Sequence, residues 1–383
     1  MAETCNVAQH LTISAQNNPE QCAVITPRNL GGHQLSLAEL EVMSQGAVAL
    51  FAEKGIQRRT RVLLMARPGI ELIVSVFALF KLGAPPVVID PGMGLKGFLR
   101  CVKHAQPEAL VGIPLAHRVS RFFPKSFRSV RNRVTLNRRF LDSAKAAVSN
   151  APKPAETKAD ELAAILFTSG STGPAKGVCY EHGMFEAQVR MLREHFAIQP
   201  GEIDLPMLPI FALFNPALGM TTIVPEMNPS RPAKADPAKI VSAIHQHQVT
   251  NSFGSPVLWT KIASHCETTG KALPSLKRVL MAGAPCPPAL IRRLKALMPN
   301  GEVHTPYGAT EVLPVSSISG TEILEYSAKL TEQGKGTCVG VTLPGVTAKI
   351  IAINDDPIDS IDAIRELPQG VIGEILVTGP SVT

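Results

Sequence analysis

Short apolar runs alternate with helix-like segments along most of this chain, and that alternation limits the fold more than any other feature. Residues 61–66 (Arg-Val-Leu-Leu-Met-Ala), 86–90 and 108–113 each read as a buried strand. Residues 69–83 and 94–105 carry helical patterns between them, the first closing at Leu82-Gly83. Apolar runs of this length separated by helices argue for a mostly parallel sheet with both faces covered. The pattern resumes with strand-like 162–167 and 277–282 and helix-like 181–195, 237–248, 256–268 and 288–298. Three of these helices, at 237, 256 and 288, open on a proline in the first turn. From residue 337 the signal changes to short strands and turns, at 340–345, 348–353 and 373–378. The expected class is α/β, with two mostly parallel α/β subdomains (1–160 and 161–334) and a small β-rich subdomain starting in 335–383. Residues 143–160, rich in Ala, Pro, Lys and Ser and without a period, are expected to form a surface linker.

A chain of 383 residues exceeds one ordinary core, and 45% hydrophobic residues supply the apolar material for more than one. The net charge of +7 suits an anionic ligand without demanding nucleic acid, and no nucleic-acid partner is expected. Seven cysteines are scattered with no Cys-x-x-Cys spacing, which reads as reduced thiols in a cytoplasmic protein and gives no zinc site. The start shows no basic stretch followed by an apolar one, so no secretory signal is read there. The longest mainly apolar stretch, 72–80, is far short of the roughly 20 residues that cross a bilayer, and no transmembrane segment is expected.

Three short motifs carry the chemistry. The first, Phe167-Thr-Ser-Gly-Ser-Thr-Gly-Pro-Ala-Lys-Gly177, follows a strand directly. Such a loop offers backbone N–H groups and hydroxyls to an anion, its glycines let the backbone approach phosphate closely, and Lys176 adds a full charge. It is not a Walker A loop, which ends Gly-Lys-Ser/Thr; here Lys176 stands between Ala175 and Gly177. The second motif, Tyr307-Gly-Ala-Thr-Glu311, combines a ring that can stack on a base, a hydroxyl, and a carboxylate suited to Mg2+. The third, Ala282-Gly-Ala-Pro-Cys286, is a small-residue turn at a strand's carboxyl end, where α/β sheets bind ligands.

In order and spacing these motifs resemble the acyl-adenylate-forming superfamily, which includes acyl-CoA synthetases, adenylation domains and firefly luciferase. Gly340-Val-Thr-Leu-Pro-Gly345 and Gly373-Glu-Ile-Leu-Val-Thr-Gly379 are similar to later landmarks of that family, so the resemblance covers essentially the whole chain. One departure is that Pro174 and Ala175 stand in the reverse of the family's order before Lys176. The resemblance implies that ATP and Mg2+ are used. It implies a phosphate loop of Thr168, Ser169, Gly170, Ser171, Thr172, Gly173 and Lys176, and an adenine wall of Gly283, Ala284 and Pro285 with Tyr307 stacked on the base. Gly308 and Ala309 complete that nucleotide contact, Thr310 meets the α-phosphate, and Glu311 holds the metal. Lys176, Thr310 and Glu311 are the implied catalytic set. Neutralising charge between two anions is the main device such a reaction needs.

The acyl side is expected around Leu208-Pro-Ile-Phe-Ala-Leu-Phe-Asn-Pro-Ala-Leu-Gly219. Many family members carry His or another aromatic at the position held here by Ala212. Phe211, Ala212, Phe214, Asn215 and Gly254 are the candidate substrate wall. With 305–311 and 336–340, this stretch looks like the β-lactone synthetases of olefin biosynthesis. That resemblance implies adenylation of a long-chain 2-alkyl-3-hydroxy acid, after which the acid's own 3-hydroxyl displaces AMP and closes a lactone without CoA. Asn215, or the backbone near Gly254-Ser255, is the candidate for orienting that hydroxyl. Other olefin-pathway enzymes are candidate partners. A fatty acyl-CoA synthetase or fatty acyl-AMP ligase stays open as an alternative. So does a nucleotide-binding module without catalysis, against which Lys176 and Glu311 speak.

Two features fall outside this chemistry. Residues 118–139 hold eight Lys or Arg and no acidic residue, the pattern of a solvated face, an acidic partner's site or a membrane surface. His245-Gln-His247 has the wrong spacing for two ligands on one helix face. The resemblance also implies a C-terminal lid domain with its own catalytic lysine, which the sequence ending at Thr383 does not contain.

Overall fold

The computed structural model describes residues 4–168, 175–228, 231–354 and 364–383, with 356, 358, 360 and 362 between the last two stretches. In chain order the strands are β1 (Cys22–Ile25), β2 (Gln34–Ser36), β3 (Val62–Met65), β4 (Pro86–Ile89), β5 (Ala109–Gly112) and β6 (Asn132–Thr135). Then come β7 (Leu162–Phe167), β8 (Gly177–Glu181), β9 (Ile203–Asp204), β10 (Thr221–Ile223), β11 (Asn251–Gly254) and β12 (Arg278–Met281). The last are β13 (Glu302–Ala309), β14 (Val312–Ser319), β15 (Val341–Thr342), β16 (Thr347–Ile351) and β17 (Glu374–Thr378).

Two mixed sheets organise the chain. The first runs β6-β5-β3-β4-β7-β8 and is parallel except where β8 turns back on β7. The second runs β15-β14-β13-β12-β11-β9-β10-β1-β2, parallel through its centre and antiparallel at both edges. β16 and β17 form a separate antiparallel pair. This is the expected α/β class. Its central strands read as unbroken apolar runs because both faces are covered: every residue of β5 and of β12 is buried. The connecting helices end where the sequence says they must. Helix Ile70–Leu82 stops at Gly83 in the left-handed region (φ 64°), and helix Pro256–Thr269 starts on a Ser255 cap and stops at Gly270 (φ 64°).

The sheets do not follow the chain in order. β1 and β2 belong to the second sheet, paired through Val24↔Thr222, whereas β7 and β8 complete the first. Two apolar cores flank the first sheet, one holding Val62, Leu64 and Val111 and the other Leu63, Val87 and Leu110. The first of them also takes in Val24, Leu35, Ala212 and Val224 from the second sheet and beside it.

Residues 143–160 depart from the linker reading. Helix Phe140–Ala147 and the short turn Val148–Asn150 occupy the start of this stretch. Further on, Thr157 is fully buried. Cys5 N donates to the Thr157 carbonyl at 2.8 Å, and Thr157 Oγ1 donates back to the Cys5 carbonyl at 2.6 Å. Composition registered the prolines but had no view of the N-terminal chain crossing over and pinning the segment. The basic residues of 118–139 are exposed.

Candidate active site

The Gly-rich loop joins β7 to β8, which pair antiparallel with Phe167 opposite Gly177. It therefore closes a hairpin, and no helix N-terminus stands at its end as in a strand-loop-helix phosphate site. Ser169, Gly170, Ser171, Thr172 and Gly173, with Pro174, lie outside the described residues. Thr168 and Lys176 flank them, and both are exposed. A side chain at position 177 would place its Cβ 2.7 Å from the Phe167 ring, so glycine lets that ring fold over the hairpin's neck.

The second motif is also a hairpin tip. Ala309 pairs with Val312, leaving Thr310-Glu311 as a two-residue turn between β13 and β14. Gly308 sits at an irregularity in this ladder, where a Cβ would come within 2.6 Å of the Val312 carbonyl. The two tips meet: Thr168 Oγ1 lies 3.1 Å from Thr310 Oγ1. Tyr180 on β8 donates its hydroxyl to the Thr310 carbonyl, and its ring stacks on Phe185 at 4.9 Å. Burial, with the Glu311 charge adding to it, pushes the Tyr180 hydroxyl up to about 12, so it remains a donor. Glu311 is exposed. Tyr307 is 39% exposed, which leaves a ring face free for stacking. Gly283, Ala284 and Pro285 are exposed just past β12, with Gly283 in the left-handed region (φ 88°). Because β12 runs parallel to β13 with Leu280 opposite His304, this turn and Tyr307 share the sheet's carboxyl edge.

Beside that edge lies an apolar cavity of about 630 Å3, counting its open mouth. Phe211 stacks on Phe253 at 3.7 Å, and Phe214, Leu280, Pro306 and Leu313 complete much of the wall. A second apolar cavity, of about 400 Å3, is bounded by Leu72, Ile73, Met207, Ala212 and Val224. Phe211, Phe214 and Asn215 thus face one cavity and Ala212 the other, across the turn Pro209–Leu213. Gly254 lines neither; a Cβ there would meet Met207 Cε at 2.4 Å.

The floor of the larger cavity is polar and buried. Asn215 Nδ2 donates to Asp204 Oδ2 at 2.9 Å and to Thr222 Oγ1 at 3.0 Å. Asn251 Nδ2 donates to Asp204 Oδ1 at 2.6 Å. Arg278 reaches Asn251 Oδ1 at 3.3 Å and forms a buried ion pair with Glu202 at 2.8 Å. Burial lifts the Asp204 carboxyl to about 7, against the two asparagine bonds and the Arg278 charge that favour its ionised form. Both N–H groups of Asn215 are thereby engaged. His182 and His304, which stand near the motifs, are held neutral by burial, each pushed down to about 4.

Sequence reasoning missed Tyr180, Gln188 and Asp204. Tyr180 had a signal: on β8, Val178 and Tyr180 face inward while Cys179 is exposed, the alternation of a half-buried strand. Gln188 and Asp204 had none, because only the pairing of distant elements brings them to the cavity.

The profile of the AMP-binding enzyme family matches residues 11–383. The olefin beta-lactone synthetase of Stenotrophomonas maltophilia (strain K279a) is 41% identical over 399 residues, covering all of this chain and 71% of the relative. The enzyme of the same name from Xanthomonas campestris pv. campestris is 42% identical over 401 residues, covering all of this chain and 70% of the relative. Among solved structures, a long-chain-fatty-acid-CoA ligase from Archaeoglobus fulgidus superposes with a TM-score of 0.82 at 19% identity, covering all of this chain and 76% of that one; this likeness is one of fold. No helix among the described residues is long and apolar enough to cross a membrane.

Proposed function

The chain belongs to the AMP-binding enzyme family, and from that membership we propose that it activates a long-chain 2-alkyl-3-hydroxy acid with ATP and closes it to a β-lactone in olefin biosynthesis. It is an AMP-forming ligase that uses ATP. The observation that carries the finer reading is the end-to-end similarity to the two olefin beta-lactone synthetases.

In the first step a carboxylate oxygen attacks the α-phosphorus, the bond to the β-phosphate oxygen breaks, and pyrophosphate leaves. We assign Lys176 and Thr168 to the departing phosphates and Thr310 to the α-phosphate, and the meeting of Thr168 with Thr310 at the hairpin tips supports the placement of those two. Tyr180 fixes the Thr310 backbone from beneath. The adenine lies along 283–285 with Tyr307 on its face. Glu311 fits Mg2+: the ion takes hard oxygen donors and often binds through one carboxylate with phosphates and water completing its shell. When bound, the ion neutralises phosphate charge.

In the second step the 3-hydroxyl oxygen attacks the acyl carbon, the bond from that carbon to the AMP oxygen breaks, and the hydroxyl proton passes to solvent. An intramolecular nucleophile needs positioning and a dry wall more than a second substrate channel. Phe211, Phe214 and Phe253 supply such a wall. A 2-alkyl acid has two chains, and apolar surface lies on both sides of Pro209–Leu213.

The test is mass spectrometry of the product from the purified enzyme with ATP, Mg2+ and a 3-hydroxy acid. The expected product is lighter than the acid by one water and forms without CoA. A thioester that appears only with CoA would instead establish an acyl-CoA synthetase.

A further inference from the structure

Gln188 stands where the larger cavity meets the hairpin tips. It comes from helix His182–His195, is 3% exposed, and lines the cavity beside Phe214, Pro306 and Leu313. Its Nε2 donates to the Leu313 carbonyl at 2.8 Å. That bond fixes the amide's orientation, because a carbonyl only accepts, so the oxygen must face the other way. Gln188 Oε1 accepts no hydrogen bond among the described residues, although it is fully removed from solvent and the amide lies beside the Tyr180 hydroxyl. An unsatisfied buried acceptor is costly and uncommon in a folded protein, and those that persist call for an explanation.

Asn215 and Asn251, the cavity's other amides, are both tied to Asp204 through their nitrogens. A hydroxyl entering the cavity next to the reacting carboxylate needs an acceptor. Gln188, which lines that cavity, carries a carbonyl oxygen without a hydrogen-bond partner among the described residues. Tyr180, on the strand leading into the same helix, holds the Thr310 carbonyl.

We infer that Gln188 Oε1 accepts the hydrogen bond of the acid's own hydroxyl group, and so selects hydroxy acids over plain acids and turns the hydroxyl oxygen toward the acyl carbon. This deepens the proposed function and rests on it. Gln188 is a positioning and specificity residue here. It takes no proton and forms no bond to carbon.

The experiment compares Gln188→Met with the parent enzyme in two assays. The first is pyrophosphate release with a 2-alkyl-3-hydroxy acid and with the matching 2-alkyl acid that lacks the hydroxyl. One lost hydrogen bond is worth up to about tenfold, so the kcat/KM ratio of hydroxy to plain acid should fall by about tenfold. The second is the fate of the acyl-adenylate. The variant should divert it from lactone to free acid by hydrolysis. Asn215→Ala is the contrast: its nitrogen holds Asp204 and Thr222 together in the folded protein, so its loss should lower stability and leave the ratio of the two acids where it was. The inference is overturned if Gln188→Met slows both acids equally, if it leaves the ratio where it was, or if Asn215→Ala alone changes the ratio. The outcomes separate cleanly from those of the functional reading. A parent enzyme that makes no lactone sinks that reading, whereas a parent that makes lactone with an unaltered Gln188→Met ratio sinks only this inference.

Discussion

The hairpin tips and the cavity floor touch the same reaction space but are built in opposite ways. At the tips, Thr168, Lys176 and Glu311 are exposed. On the floor, Asp204, Asn215, Asn251 and Arg278 are buried and hold one another through a chain of bonds running from Thr222 to Glu202. Changes at the tips should therefore cost activity and spare the fold, and changes on the floor should do the reverse. Group by group, this separates transition-state charge from folded-state charge.

The largest expected effect is at the tips. Lys176→Ala and Glu311→Gln should each slow pyrophosphate release by about 100-fold or more, the usual cost of removing a charge that opposes phosphate in the transition state. Their melting temperatures should stay with the parent's. A drop like that of a core variant in either one would break the comparison.

On the floor, Asn215→Ala leaves the buried Asp204 short of a donor and should cost about 2 kcal/mol in a denaturant titration. The cost should depend on pH. Asp204 is raised to about 7 when folded, so its contribution to stability is full below the ordinary carboxylate pKa near 4 and is lost as pH rises through about 7. Removing a bond that favours the ionised form raises it further. The destabilisation should then be greater at pH 8 than at pH 5, and an equal cost at both would place the Asn215 bond outside the titration of Asp204.

The smallest effect sharpens the boundary between the two regions. Tyr180 is buried like the floor but supports the tip through the Thr310 carbonyl. Tyr180→Phe should cost about 1 kcal/mol, read as a several-fold rise in KM for ATP with kcat little altered. A fall in kcat with KM unmoved would place Tyr180 among the groups that act on the transition state.

The same division explains what could be read from the sequence. A hairpin tip is contiguous in the chain, so 167–177 and 307–311 announce their chemistry in one glance. Elements with strong local rules were equally plain: strand 162–167 and helix 94–105 run over the residues their patterns indicate. The cavity was only half legible. Phe211, Phe214 and Asn215 stand together in sequence, but Phe253, Leu280 and Pro306 join them only because β11, β12 and β13 lie side by side. Asp204 looked like any acidic residue in a turn until its pairing opposite Thr222 and Asn251 buried it. Pairing between distant strands is also why β1 fell to the second sheet, and hydrogen bonds to the distant Cys5 are why 143–160 proved to be pinned.

That early strand has a consequence for how the chain reaches its fold. Once synthesised, β1 has only β2 for company, and its other edge waits for Thr222 and Ile223. Meanwhile β3 to β8 can pair among themselves and finish a sheet. The topology thus lets the first sheet form before the apolar edge of β1 finds its partner. Contacts of such long sequence separation are slow to form and leave an unpaired strand exposed to other chains. The expected cost is association through Cys22–Ile25 before β10 is made, at a segment whose edges the finished fold pairs on both sides.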